Sequence, residues 1–401
     1  MTRILTSILE TWPLEAHLLA LLRLSVGMLS AGAAALAIIP APTYWLWMLA
    51  VAVTEWGHVL ALLALMPLLP GWRRSWSGLT ASVFCVLAAI LALTPLLRAV
   101  SAARQLPLQL AVAFGEIQPS PDTDMPPRPA PLVGIDLVRG VPSPDISACT
   151  LVYASVDGQA LQLDLYPPPA PHNPAPGVIV IHGGAWHSGN NKQFISLNRY
   201  LAARGYVVAA INYRLAPRWP FPAAREDVKA ALSYLKTNAH PLGLDPQRLV
   251  LLGRSAGGQL ALLVAYTTQD PAIRGVVSLY APIDLRWGYA HPASPWIVNT
   301  QGILEGYLGG SPDQAPTAYD AASPLHFADP GSPPTLLVHG DRDELVFGIG
   351  SERLDKRLEE AGVPHLLLRL PWATHSFDFN FSGPGGQIST YAIEHFLMAV
   401  M

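Results

Sequence analysis

Charge is what this sequence has least of. Asp, Glu, Lys and Arg make up 13% of its 401 residues, against roughly 25% in an ordinary soluble domain, so part of the chain is expected to lie out of water. No sign dominates either. The formal net charge is −3, which offers none of the basic surface that nucleic-acid binding needs and excludes that class of partner. Cysteine is nearly missing. Cys85 sits inside an apolar run and Cys149 in a polar stretch, contexts too different for a disulfide, and there is no cysteine cluster with metal-ligand spacing.

The first hundred residues have apolar length instead. Runs at 17–39, 44–69 and 79–97 are each long enough to cross about 30 Å of hydrocarbon as a helix. One cleaved leader cannot account for all of them. Residues 1–100 are therefore expected to be a membrane region of about three transmembrane helices, with the lipid bilayer as a partner. Arg23, near the start of the first run, can snorkel to the interface. Glu55 and His58 lie inside the second run; their spacing puts them on one helix face as a mutually satisfied pair. Trp45, Trp47, Trp72 and Trp76 flank that run as interfacial aromatics do. The loop at 40–43 is uncharged and the next carries Arg73 and Arg74, so the positive-inside rule places the second loop in the cytoplasm and everything after the third helix outside. Arg98 and Arg104, at the outer end, pull the other way.

Residues 101–149 form the expected connector. Their stretch QPSPDTDMPPRPAP is too proline-rich for helix or central strand and reads as a semi-rigid spacer that holds the next domain clear of the bilayer. From residue 150 the pattern changes. Short β-rich runs at 178–182, 206–213, 249–253, 275–280 and 335–340 read as buried parallel strands, separated by helical stretches such as 223–235 and 256–266. An antiparallel hairpin, TLVYASV and LQLDLY about Gly158, precedes them. Strands alternating with helices imply one α/β domain over 150–401, with helices on both faces of a mostly parallel sheet.

The chemistry lies in its loops. Gly253-Arg254-Ser255-Ala256-Gly257 follows a strand and opens a helix, the setting that a G-x-S-x-G nucleophile elbow requires. A serine hydroxyl needs a base within hydrogen-bond reach, itself oriented by a carboxylate. In this chain order both must follow Ser255. His375 sits in a loop after the strand HLLLRL, which lets its imidazole reach the elbow; His291, His326, His339 and His365 are less well placed. For the acid, the loop after TLLVHG offers Asp343, the preferred residue, and Asp341, the runner-up, either of which can instead cap a helix or pair with Arg342. Acyl transfer also develops negative charge that needs preorganised N–H donors. Gly183 and Gly184, directly after a strand, let bare amides approach substrate, and with the amide of Ala256 they form an expected oxyanion hole.

Six blocks in this order, HGGAW at 182–186, NYRLAP at 212–217, FPAAREDVKAALSYL at 221–235, GRSAGG at 253–258, HGDRDELV at 339–346 and THSF at 374–377, resemble the hormone-sensitive-lipase-like esterases and the related bacterial carbohydrate and feruloyl esterase type of α/β-hydrolase. The resemblance runs from about residue 152 to the end. It implies an α/β-hydrolase fold, a Ser255, Asp343, His375 triad, the oxyanion donors already named, a small-molecule ester substrate, and no cofactor or metal. Two positions depart from the family pattern. Ala185 stands where a third glycine is common, and its amide still donates. Arg254 stands where an aspartate is common, so any ion pair made by that aspartate is expected to be missing. The stretch 284–325, with Trp287, Trp296 and Tyr307, reads equally as a cap over the pocket or as a surface insertion. The expected function is a membrane-anchored carboxylic ester hydrolase with its catalytic domain extracytoplasmic. The alternatives are an exopeptidase of the prolyl-oligopeptidase kind, an acyltransferase using an alcohol in place of water, and a scaffold that has lost activity.

Overall fold

The computed structural model describes residues 14–68, 76–115, 127–169 and 174–401. Two compact units divide the chain, Met1–Arg98 and Ala99–Met401.

In the first unit, α1 (Leu14–Ala35), α2 (Tyr44–Glu55), α3 (Gly57–Leu65) and the start of α4 (Trp76–Phe114) carry the apolar runs. The expectation of about three membrane-crossing helices is corrected. Among the described residues one helix, Leu79–Phe114, is long and apolar enough to cross a membrane; a second counts only if Tyr44–Glu55 and Gly57–Leu68, which meet at 89°, act as one. Composition measures apolar length but does not see where a helix stops. The second run stops at Trp56, because Gly57 presses so closely on α4 that a Cβ there would lie 2.0 Å from the Ala92 carbonyl oxygen. The first stops in a turn ahead of Pro40. The same break falls between Glu55 and His58, so they do not share one helix face. Trp45 is exposed, but Trp47 is buried rather than interfacial. Trp72 lies outside the described residues, as do Arg73 and Arg74, on which the orientation rests, and 116–126 of the connector.

Small residues make this packing possible. Ala31, Ala34, Ala61, Ala64, Ala88 and Ala92 share one buried cluster, while Leu29, Leu62, Val83, Ile90 and Leu97 are exposed. Helix α4 also tolerates Pro95. A proline there cannot donate to the Leu91 carbonyl, and the Thr94 hydroxyl donates to it instead at 2.7 Å, which satisfies the group that the ring leaves open.

The connector is also corrected. Helix α4 does not end near residue 100 but runs on to Phe114. Ala99, Ala103, Leu106 and Leu110 enter the core of the second unit because they recur at helical spacing on one face. Downstream, Arg128 is tied in rather than extended: its guanidinium donates to Gln387 at 2.8 Å and pairs with Asp136 at 3.0 Å, and its amide donates to Glu394 at 3.0 Å.

The second unit is built on eight strands: β1 (Cys149–Val156), β2 (Gln159–Tyr166), β3 (Ala175–Ile181), β4 (Val207–Ile211), β5 (Leu244–Arg254), β6 (Ile273–Leu279), β7 (Thr335–Gly340) and β8 (His365–Leu370). Their order is β1-β2-β4-β3-β5-β6-β7-β8. The hairpin β1–β2 and the β2–β4 pair are antiparallel, and every later pair is parallel. The expected strands are all there, since residues buried on both sides leave continuous apolar runs. Alternate strand residues feed two cores, one on each face. After β3, β4 and β5 come α5 (Ile195–Ala202), α6 (Ala223–Thr237) and α7 (Ala256–Thr268). Strand β3 lies between β4 and β5, so the winding reverses there, and the carboxyl ends beside such a reversal form a natural crevice.

Because Leu106 is fully buried, Leu106→Ala is expected to lower the stability of the second unit by about 2–5 kcal/mol. Denaturant unfolding of detergent-solubilised protein checks this; a residue in a mere spacer would leave the midpoint unchanged.

Candidate active site

Three segments at the carboxyl ends of the strands build the site. Strand β5 ends at Arg254 and α7 starts at Ala256, leaving Ser255 alone in the turn at φ 50°, ψ −121°. That conformation is unfavourable for a side-chain-bearing residue and persists only where the surroundings impose it. Here they do. A Cβ on Gly257 would lie 2.2 Å from the Ile181 carbonyl oxygen, so helix α7 touches β3 backbone to backbone, and the Ser255 amide is held by the Leu279 carbonyl at 2.9 Å.

Strand β3 leads into the loop holding His182, Gly183 and Gly184. Gly184 adopts φ +120°, and a Cβ there would meet the Ser188 carbonyl oxygen at 2.1 Å. Gly183 lies against the elbow, its Cβ position 3.4 Å from Ser255 Cβ. Ala185 and Ala256 both line the cavity in front of the serine. His182 is buried in a stack on Tyr213, with ring centroids 4.2 Å apart, and its Nδ1 meets the Gly183 carbonyl at 2.7 Å.

The loops after β7 and β8 supply the other two groups. His375 Nε2 is 3.1 Å from Ser255 Oγ, and His375 Nδ1 is 2.7 Å from Asp343 Oδ2. Asp343 Oδ1 accepts from the amides of Leu345 and Val346, each at 2.9 Å. Burial alone would push the Asp343 carboxyl up, but the facing His375, with His339 behind it, holds it well below the usual carboxylate range. Asp341 is directed elsewhere, onto Arg369 at 2.7 Å. The structure thus brings Ser255, His375 and Asp343 together and leaves Asp341 out.

The stretch 284–325 walls the pocket. Its helices α8 (Leu285–Ala290) and α9 (Thr300–Leu308), with His291 just past α8, contribute Leu285, Trp287, His291, Ile303 and Leu304 to a cavity of about 110 Å³ that ends on Ser255 and His375. Tyr307 ties the insertion to the oxyanion loop by stacking on Trp186 with centroids 4.1 Å apart. Buried Gln259 accepts from Trp186 Nε1 at 2.9 Å and donates to the Ala322 carbonyl at 2.6 Å.

The contacts of two residues go beyond their reading from the sequence. His339 Nε2 lies 2.8 Å from the Val346 carbonyl and 3.3 Å from Asp343 Oδ2, while its Nδ1 meets Ser351 Oγ at 2.8 Å. Its place at a strand end was the only local signal. Arg254 forms a buried ion pair with Asp378. The position therefore carries an ion pair of its own, with the cation on the elbow and the anion on the histidine loop.

A family model described as BD-FAE matches residues 163–358. The ethyl acetate hydrolase of Pseudomonas putida is 32% identical over 233 residues, 55% of this chain and 72% of that protein. Esterase LipC of Mycobacterium tuberculosis is 30% identical over 245 residues, 57% of this chain and 60% of that protein. The chain spans only a little over half the length of the mycobacterial relatives it matches. Among solved structures, a bacterial heroin esterase shares the fold at a TM-score of 0.57 and 24% identity, over 64% of this chain and 85% of that one. A propionate-bound thermophilic esterase of Thermogutta terrifontis is similar at a TM-score of 0.52 and 26% identity, over 62% and 91%.

The oxyanion loop carries its own pH dependence. Burial pushes the His182 imidazole down to about 4, against the pull of its contact with the Gly183 carbonyl. The unfolded chain, with an ordinary value near 6.5, therefore takes up a proton first as the pH falls. The stability contributed by neutral His182 is complete above about pH 6.5 and is lost as the pH drops toward 4, by about 3 kcal/mol in all. Denaturant titrations at pH 7.5 and 4.5 should show that loss, and His182→Asn should flatten it.

Proposed function

The chain belongs to the α/β-hydrolase esterases, and on that footing we propose that it hydrolyses small carboxylic esters through Ser255, His375 and Asp343 while anchored to a membrane. The observation that carries the reading is the continuous contact from Asp343 through His375 to Ser255 Oγ, at 2.7 and 3.1 Å.

In the proposed mechanism His375 Nε2 takes the Ser255 proton as Oγ attacks the ester carbonyl. Asp343 holds the ring so that Nε2 faces the serine, and it stabilises the imidazolium that forms. The amides of Gly183, Gly184 and Ala256 receive the negative oxygen of the tetrahedral intermediate. His375 then gives its proton to the departing alcohol, leaving an acyl-enzyme. Water, deprotonated by the same imidazole, attacks this ester, and the acid is released as Ser255 regains its proton. Ser255→Ala is expected to reduce turnover of p-nitrophenyl butyrate by at least about 10⁴-fold and to abolish labelling by a fluorophosphonate. Retention of most of the activity by the folded variant would sink the assignment.

The cavity sets the substrate class. About 110 Å³ holds roughly eight to ten water-sized groups, and its wall is mostly apolar side chain. The relative named ethyl acetate hydrolase acts, by its name, on a small ester, and the same class suits this volume. Values of kcat/KM should fall by about ten-fold or more from p-nitrophenyl butyrate to the dodecanoate; a rise with chain length would point to a long-chain lipid substrate instead.

Helix α4 is the proposed anchor. It is long enough to cross a bilayer, and the exposed Val83, Ile90 and Leu97 along it suit a lipid surface rather than water. Arg73 and Arg74, just before it, favour a cytoplasmic start and an extracytoplasmic site. An impermeant fluorophosphonate applied to intact cells tests the side: labelling supports it, and labelling only after permeabilisation reverses it.

A further inference from the structure

We infer that the buried Arg254–Asp378 ion pair, together with Tyr280, is a positioning device that seats the His375 loop on the nucleophile elbow and cancels a second negative charge beside the imidazole. This rests on the reading of Ser255, His375 and Asp343 as the reacting groups.

The placement is the first argument. Arg254 immediately precedes the nucleophile, and Asp378 follows the base by three residues, so their ion pair joins the two chain segments whose separation decides whether Nε2 reaches Oγ. Both side chains are nearly closed to solvent. The face of the guanidinium is covered by the Phe194 ring, 4.3 Å from its centroid.

The second argument is the bridge to the imidazole. Tyr280, just past β6, donates its hydroxyl to Asp378 Oδ1 at 2.5 Å. Burial first, and Asp378 second, push that hydroxyl far up, so it stays protonated and remains a donor. Its ring stands edge-on to His375 at 4.6 Å and to Phe377 at 5.0 Å. A single carboxylate thus holds the arginine beside the serine and the tyrosine that forms one wall of the histidine.

Stability alone is a weak reason for such a pair. Taking two charges out of water costs about what their attraction returns, and apolar replacements are often as stable. A location between nucleophile and base, where displacement of a fraction of an ångström costs turnover, gives it a use. Charged and titratable groups around the imidazole come from every neighbouring segment: His339 from the end of β7 and Asp343 from the loop after it, Arg254 from β5, Asp378 from its own loop through Tyr280, and Asp284 and His291 across the cavity.

The test is the pH profile of p-nitrophenyl butyrate hydrolysis by the full chain in detergent, with thermal melts to certify folding. Asp378→Asn leaves the Arg254 cation, next to the nucleophile, without its anion, which disfavours the imidazolium. The acid limb of log kcat/KM should move to lower pH by about one unit. In the double variant Arg254→Gln/Asp378→Asn the net charge is that of the native protein, so the limb should return, while kcat stays about 10- to 100-fold low and KM changes little. Asp378→Glu should recover most of the kcat, and Tyr280→Phe should lower kcat with no movement of the limb. If Asp378→Asn does not fold, the double variant decides alone. A native kcat in the folded double variant overturns the inference, as does an unmoved limb in folded Asp378→Asn. Ser255→Ala in the same assay keeps the two levels apart: survival of its activity removes the underlying assignment, whereas its inactivity beside native profiles for the pair removes only the positioning role.

Discussion

The site depends on a close approach of backbones, where α7 is pressed against the end of β3 with only glycine between them. Because no side chain fits, the chain must reverse between β5 and α7 within one residue, and that residue is driven to a positive φ. Strands β3 and β6 flank β5 on either side and hold the turn, so the strain at Ser255 is carried by the sheet. The rest follows from the topology. The winding reverses at β3, so the loop with Gly183 and Gly184 and the turn with Ser255 open side by side. The loops after β7 and β8, at the same end, bring in an acid and a histidine without any long excursion of the chain.

This explains which parts were legible in the sequence. Strands buried on both faces leave unbroken aliphatic runs, so VIVI and LVLL could be placed from residue type alone. Glycines at 253 and 257 exist because of the close approach, and they mark the serine between them. His375 and the preference for Asp343 follow from chain order and from their positions after strands; the surface pairing that engages Asp341 with Arg369 is one that no local pattern displays. The long-range couplings were not legible. Arg254 and Asp378 are 124 positions apart, and neither residue type marks the other as its partner.

The count of membrane crossings was too high for a different reason. Apolar length is a sum over residues, whereas a crossing needs one uninterrupted helix, and the Trp56-Gly57 break costs little in hydropathy while ending the helix. At the other end, positions 99, 103, 106 and 110 repeat at helical spacing and carry α4 past the expected boundary. Arg104 and Pro107 lower the average there and conceal the stripe.

Two carboxylates lie near one imidazole, and the protein compensates them in opposite ways. Asp343 accepts from the amides of Leu345 and Val346 on one oxygen and faces the imidazoles of His375 and His339 on the other. Dipoles make the burial of an anion tolerable without cancelling its charge, so its field still acts on the histidine. Asp378 meets a full cation in Arg254 and a hydroxyl in Tyr280, and a compact ion pair has little field at a distance. Had both been held by dipoles, the imidazole would face two uncompensated negative charges. Had both been paired with arginine, the imidazolium formed on attack would lack a counter-charge. The division of roles between two chemically identical groups comes from what sits opposite each of them.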